Sequence, residues 1–444
     1  MTSSTTPEDS PTSAYDAIII GAGVIGCSIA FNLAKRGYRT LNIDALPAAG
    51  YGSTSSSAAV IRTYYSTLDG SAMAYEGYHE WKNWTDYLGC GDGEELAKFV
   101  ETGTLVMKTL GNGYLEKVLR SANQLGIPYE NWTAEKILTE MPGYNLECYA
   151  PAKQMDNDDF GLPNGGQINS GVFFPGGGYV DDPQLSARNL KTAAEHHGGA
   201  FLFKTKVVRI LSNEDRVTGI ELQDGRILSS TIVINVAGPH SGKVNALVGK
   251  DIGMNIKTRP LRQEVVQIPP PKSLGYTRQG LIVSDNDIAV YLKPGSGGQL
   301  MLGSENPACD PPLEEDPDDF SRDLTDRALT YAYRYSQRLP ELGVSQHPVG
   351  VADLYDATDD WLPIYDCSNV PGYYLAIGTS GNQFKNAPVA GRLMADLIAY
   401  CETGGSQDDE PLQFKLNHID HTINTATFSR KRQVNKDSSF SVLG

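Results

Sequence analysis

The apolar run Ala17-Ile18-Ile19-Ile20 leads directly into Gly21-Ala22-Gly23-Val24-Ile25-Gly26, and that loop opens a stretch, Cys27 to Lys35, whose apolar residues recur on a helical period. Nothing else in the 444-residue chain limits its fold as strongly. Four apolar residues are too few for a helix and read as a strand buried on both faces of a parallel sheet. Gly37 supplies a stop for the helix, and Thr40-Leu41-Asn42-Ile43-Asp44 reads as a second strand, completing a βαβ unit. In such a unit Gly21 permits the tight turn, Gly23 lets backbone approach a pyrophosphate, and Gly26 lets the helix pack closely on the strand. The helix N-terminus, with Val24 and Ile25 in its first turn, attracts the anion. Asp44 can accept hydrogen bonds from a ribose 2′-hydroxyl, and its charge repels a 2′-phosphate. The same fingerprint serves FAD and NAD, so other segments must decide between them.

A chain of this length has room for two or three domains. Gln184 to His197 has helical character, Phe201 to Leu211 reads as a strand, and Val217 to Leu228 reads as a hairpin turning at Asp224-Gly225. Thr231 to Val236 is a further strand, closed by Ala237-Gly238-Pro239, and Tyr373 to Ile377 is another. Asn386 is the N-cap, and Pro388 the first-turn proline, of a helix running to about Tyr400. Nucleotide-type segments thus occur in three separated pieces, which predicts two interleaved domains. The expected class is α/β: a Rossmann-type dinucleotide-binding domain interleaved with an α+β substrate domain carrying a mixed or antiparallel sheet. The first takes residues 15–91, 178–247 and 351–404, the second 92–177 and 248–350, and residues 405–444 form a C-terminal tail or arm.

With 37 basic and 53 acidic residues the formal charge is -16, which repels nucleic acid and anionic membrane surfaces. Residues 1–14, rich in Ser, Thr and Pro, read as a disordered leader and not a secretory signal, and no span is long and apolar enough for a membrane, so a cytoplasmic location is expected. Six cysteines without a CxxC pair, and only seven histidines, point to a reducing compartment and to no metal site. The Asn-Trp-Thr triplets at Asn83 and Asn131 match the glycosylation pattern only by chance if nothing exports the chain. Arg430-Lys431-Arg432 is expected in a solvated tail or a surface arm.

Two further segments separate the nucleotides. Gly52-Ser53-Thr54-Ser55-Ser56-Ser57-Ala58-Ala59-Val60-Ile61-Arg62 is a small-residue run ending in arginine, and Gly378-Thr379-Ser380-Gly381-Asn382-Gln383-Phe384-Lys385-Asn386-Ala387-Pro388 precedes the last helix. With Gly178-Tyr179-Val180-Asp181, Asn235-Val236-Ala237-Gly238 and Arg259-Pro260-Leu261-Arg262-Gln263, this combination resembles the D-amino-acid oxidase-like FAD enzymes, most closely the branch of sarcosine oxidase and dimethylglycine dehydrogenase. The resemblance spans roughly Asp16 to Tyr400. It implies that the Rossmann-type domain is a glutathione-reductase-like FAD-binding domain with FAD as cofactor, with Ser53, Thr54 and Ala58 along the flavin, Gly378, Ser380, Gly381 and Phe384 beside its ring and ribityl chain, and Ala45, Val207, Ala237 and Gly238 as further contacts.

The resemblance also assigns the substrate end. Arg62 would meet a substrate carboxylate, which suits a planar, permanently charged fork. Lys385 would touch both that carboxylate and the flavin, and Tyr291 would line the substrate face. Relatives that tether FAD covalently use a histidine or a cysteine where this chain has Ser56-Ser57 and Asp353-Leu354-Tyr355, so dissociable FAD is expected. Where oxidases place a lysine above the flavin this chain has Met301, and Glu305 stands where sarcosine oxidases use histidine, suiting a basic part of a different substrate.

The implied reaction oxidises the C–N bond of a small secondary or N-methyl amine, expected to be an amino acid, by hydride transfer to flavin and imine hydrolysis. Oxygen or another acceptor would take the electrons. Two other readings stay open: oxidation of a primary amino acid or hydroxy acid, and a flavin-binding subunit without turnover of its own.

Overall fold

The computed structural model describes residues 15–89, 94–274 and 280–443. The expected leader, residues 1–14, lies outside them. The βαβ unit consists of β1 (Ala17–Ile20), α1 (Val24–Ala34) and β2 (Thr40–Ile43). β1 is central in a six-stranded sheet whose order is Ile364–Cys367, Tyr373–Ile377, Val233–Asn235, β1, β2, Ala200–Leu202. All its pairings are parallel except that of Ile364–Cys367 with Tyr373–Ile377. The run at β1 is apolar throughout because both faces are covered. Ala17 and Ile19 enter the cluster formed with α1, while Ile18 and Ile20 enter a cluster on the opposite face that includes Val207, Ile210 and Ile220. Each large aliphatic side chain buried this way stabilises by roughly 1.5–3 kcal/mol.

α1 packs between the helices Pro183–His196 and Ala387–Glu402. Close approach at its start requires two glycines. Gly21 has φ of 120°, and a Cβ there would lie 2.3 Å from the carbonyl oxygen of Val236. A Cβ on Gly26 would lie 2.3 Å from the carbonyl oxygen of Gly21.

The second sheet is mixed. Thr258–Ile268 pairs antiparallel with both Leu300–Ser304 and Val349–Thr358; the sheet continues through Val290–Pro294 and Ile282–Asp285, and Ile282–Asp285 pairs parallel with Thr104–Met107. The helix Asp326–Arg338 covers it. The buried Arg338 donates to Asp285 at 2.7 Å and to Asp287 at 3.0 Å, so neither acid is left unpaired in the interior.

Three expectations need correction. Phe201 to Leu211 is not one strand: Ala200–Leu202 joins the parallel sheet and Val207–Ser212 pairs antiparallel with Val217–Leu222. Lys204, at φ of 53°, turns the chain between them. Val349–Thr358 belongs by hydrogen bonding to the second sheet, although the expected boundary at 351 gave it to the nucleotide-binding part; its long ladder with Thr258–Ile268 decides this. Arg430 is not solvated. It is fully buried, donating to Asp366 at 2.9 Å and Asp408 at 3.0 Å, acids that local sequence around it does not reveal.

Cys27, Cys148, Cys309, Cys367 and Cys401 are free, and Cys90 falls outside the described residues. Among the described residues no helix is long and apolar enough to cross a membrane.

Candidate functional site

The turn from β1 into α1 opens on a cavity. Thr54 Oγ1 accepts from the backbone N–H of Val24 at 3.1 Å, so the small-residue segment is fastened to the helix N-terminus. A Cβ on Gly23 would meet only that same oxygen, at 3.1 Å. Asp44 accepts from the N–H of Ala22 and of Leu46, each at 2.8 Å, which fixes its carboxylate at the end of β2. Burial pushes its carboxyl above the usual range, and the two backbone bonds oppose that shift. Each carboxylate oxygen keeps acceptor capacity for a ligand hydroxyl.

The cavity, about 830 Å³, runs from this turn to the second sheet. Gly21, Gly23, Val24, Ile25, Gly26, Asp44 and Ala45 line one end, and Ser53, Thr54, Ala58, Val207, Ala237 and Gly238 line the passage. Gly381, Phe384, Lys385, Arg62, Tyr291 and Glu305 line the far end. Gly378 and Ser380 are not on its wall. The Gly378 N–H donates to Asp356 at 2.6 Å and the Ser380 N–H to the Asp356 carbonyl at 2.7 Å, so these two hold the loop from behind. An elongated, largely apolar chamber with a glycine loop at one end and charged groups at the other fits FAD with its pyrophosphate at the helix terminus.

At the far end, Tyr291 lies across from Gly303 in the ladder, where a Cβ would come within 2.4 Å of the phenol oxygen. The absent side chain lets the ring lie against the strand. Burial pushes the Tyr291 hydroxyl well above its usual range. Glu305 is buried; its Oε1 accepts from Ser284 Oγ at 2.5 Å, and its Oε2 has no hydrogen-bond partner. Burial raises this carboxyl to about 7.

Arg62 and Lys385 are already engaged. Arg62 donates through Nη2 to the carbonyl of Val442 and lies over the Tyr65 ring at 5.2 Å, while its buried Nε has no partner. Lys385 Nζ donates to the Tyr65 hydroxyl at 2.7 Å and to the Asn382 carbonyl at 2.5 Å. Burial, aided by the charge of Arg62, holds this lysine well below its usual range.

The two segments compared for covalent attachment meet in space. Ser56 Oγ donates to Asp353 at 2.5 Å, and Arg322 donates to the same carboxylate at 2.9 Å. Met301 packs against Gly295, and its cross-strand neighbour is Lys293. Lys293 Nζ donates to the carbonyl of Ala58 at 2.8 Å and sits 4.3 Å from the centre of the Tyr179 ring, and burial lowers it to about 7. Strand alternation around Tyr291 was the signal that could have found this lysine. Nothing local in the sequence signals that Ser441, Val442 and Leu443 also line the cavity.

Away from the cavity, Glu76, Glu80 and His418 bring three potential metal-ligand atoms together. Glu76 is occupied in docking the C-terminal segment: it accepts from Arg392 at 2.7 Å, from Asn417 N at 2.6 Å and from His418 N at 2.9 Å.

Comparisons with known proteins agree with this geometry. The family model described as DAO, FAD dependent oxidoreductase, matches residues 16–397. Glycine oxidase of Geobacillus kaustophilus is 23% identical over 396 residues, covering 88% of this chain and 94% of that protein. N-methyl-L-tryptophan oxidase of Salmonella arizonae is 25% identical over 389 residues, covering 86% and 94%. Among solved structures, L-proline dehydrogenase from P. horikoshii superposes with a TM-score of 0.73 at 20% identity, over 95% of this chain and 98% of its own, a likeness of fold.

Proposed function

The chain belongs to the DAO family of FAD dependent oxidoreductases, and from that membership we propose that it oxidises the C–N bond of a small secondary or N-methyl amine that carries a carboxylate. The observation that carries the reading is the single cavity joining the glycine loop and Asp44 to Arg62, Tyr291, Glu305 and Lys385. FAD supplies the two-electron acceptor for the C–H bond beside the substrate nitrogen.

The protein's part is placement. At one end the α1 N-terminus, Gly23 and Asp44 hold the pyrophosphate and ribose. At the other, Arg62 takes the substrate carboxylate in a bidentate pair, Lys385 adds a second donor, and the Tyr291 ring bounds the face on which the substrate lies. The unpartnered Oε2 of Glu305 accepts a hydrogen bond from the substrate nitrogen. With its carboxyl near 7, Glu305 can take the ammonium proton, which leaves the amine neutral as hydride departure requires. The imine product then hydrolyses to a carbonyl compound and a smaller amine. Oxygen or another acceptor would take the electrons.

A primary amino acid is the second reading, favoured by the likeness to glycine oxidase. Anaerobic mixing of the holoprotein with N-methyl, cyclic and primary amino acids separates the two. Bleaching of the flavin band by N-methyl or cyclic amino acids at lower concentration than by primary ones supports the proposal, and the reverse order supports the second reading. No bleaching by any of them, with FAD fully bound, would assign the chain to flavin proteins without amine turnover.

A further inference from the structure

The family match stops at residue 397, yet the chain beyond it returns to the cavity. Its approach is firmly tied. Arg430 is buried between Asp366 and Asp408, Arg432 pairs with Asp360 at 2.7 Å, and Ser438 Oγ donates to the Asp360 carbonyl at 2.6 Å. Past Ser438 the ties change character. The Ser439 N–H donates to Ser66 Oγ at 3.2 Å, the Ser66 N–H donates to the Leu443 carbonyl at 3.0 Å, and Arg62 donates to the Val442 carbonyl. Two modest apolar contacts complete the seat: Leu443 beside Tyr64 and Phe174, and Val442 beside Leu261 and Trp361. Ahead of them Phe440 is 46% exposed and has φ of 52°, an unfavourable conformation for an aromatic residue.

The Val442 carbonyl stands where the proposed function needs a carboxylate. A neutral carbonyl satisfies the Arg62 fork poorly, and Arg62 Nε is left buried without a partner. A carboxylate would accept two parallel bonds from the same guanidinium and neutralise its charge, which a single carbonyl cannot do.

We propose that residues 439–443 are a strap that occupies Arg62 in the resting protein and is displaced by the carboxylate of the incoming substrate. The strap shields the guanidinium and closes the substrate end until an acid of the right shape arrives, and Ser438 is the fixed point about which it moves. This inference rests on Arg62 being the carboxylate anchor. A ligand that binds only the open form pays the closed-to-open ratio in its apparent affinity, so removing the strap must tighten carboxylate binding.

The test uses the FAD-loaded 444-residue protein and a variant ended after Ser438, each titrated with benzoate, an inert monocarboxylate, while the visible flavin spectrum is followed. The expected dissociation constant is at least about tenfold lower for the shortened protein. Leu443→Asp in the full chain, which puts a charge into the Tyr64 and Phe174 contact, should shift it the same way and serves if shortening prevents folding. In the unaltered chain benzoate should speed hydrogen exchange of the peptide containing Ser439 and Leu443. Equal benzoate affinity with and without the strap, or exchange unchanged by saturating benzoate, overturns the proposal. Arg62→Gln separates the two levels: if it weakens benzoate binding while strap removal does nothing, Arg62 remains the anchor and only the strap falls. If it has no effect on benzoate in either chain, the anchor itself is wrong.

Discussion

Lys385 Nζ donates to the hydroxyl of Tyr65 across 2.7 Å, and both side chains are buried beside Arg62. Burial and the charge of Arg62 hold this lysine well below its usual range, and a bound anion favours its charged form. Lys385→Met removes that response and one donor, and should weaken binding of a carboxylated amine by roughly tenfold, the scale of one charged hydrogen bond. Tyr65→Phe leaves the Asn382 carbonyl as partner and should cost less. Spectral titration of both variants checks the order; a larger effect of Tyr65→Phe would contradict it.

Glu305 sets the sign of the pH dependence. Its carboxyl lies near 7 in the free protein, and a bound anion disfavours its charged form. The bound state therefore holds more protons at Glu305 than the free state, so benzoate affinity should fall as pH rises through about 7. Glu305→Gln should flatten that limb of the profile. A profile identical to that of the unaltered protein would remove Glu305 from the substrate end.

Gly23→Val should abolish flavin incorporation, because its side chain would enter the space between the α1 N-terminus and Thr54, where a Cβ already lies 3.1 Å from Thr54 Oγ1. Gly26→Ala acts differently. Its Cβ would lie 2.3 Å from the Gly21 carbonyl oxygen, and overpacking of this kind costs roughly 1–3 kcal/mol, so the melting temperature should drop. Flavin content after purification and thermal unfolding distinguish the two effects. Full FAD occupancy in Gly23→Val would move the binding site elsewhere.

FAD should leave the polypeptide on acid precipitation. Ser56 is hydrogen-bonded to Asp353, and neither segment offers the histidine or cysteine of the tethered relatives. Yellow colour retained in the pellet would show a covalent link at another residue.

The βαβ unit was legible because its signal is local: four apolar residues, a spaced set of glycines and an acid, all within the continuous stretch Ala17 to Asp44. The far end of the cavity was less so. Arg62, Lys385 and the hairpin that carries Tyr291 and Glu305 are far apart in sequence and meet only in the fold, and family resemblance, not periodicity, pointed to them. Gly378 and Ser380 looked like flavin contacts, but whether a loop residue faces a cavity or its support depends on backbone torsions that composition does not encode. The strap was hidden for another reason. Arg430 and Arg432 resemble a solvated basic run until Asp360, Asp366 and Asp408 are placed around them.

The most direct measurement follows anaerobic flavin reduction against substrate concentration, with a matched pair of N-methyl amines differing only in a carboxylate, for the unaltered protein and Arg62→Lys. Lysine keeps the charge but loses the fork, and a buried charged hydrogen bond is worth on the order of 1.5–3 kcal/mol. The carboxylated amine should therefore need roughly ten- to hundredfold more concentration to reduce the variant, while the amine without the acid group behaves alike in both. Reduction of both proteins at the same concentrations of the carboxylated amine would contradict the assignment of Arg62 and, with it, of an amino-acid-like substrate.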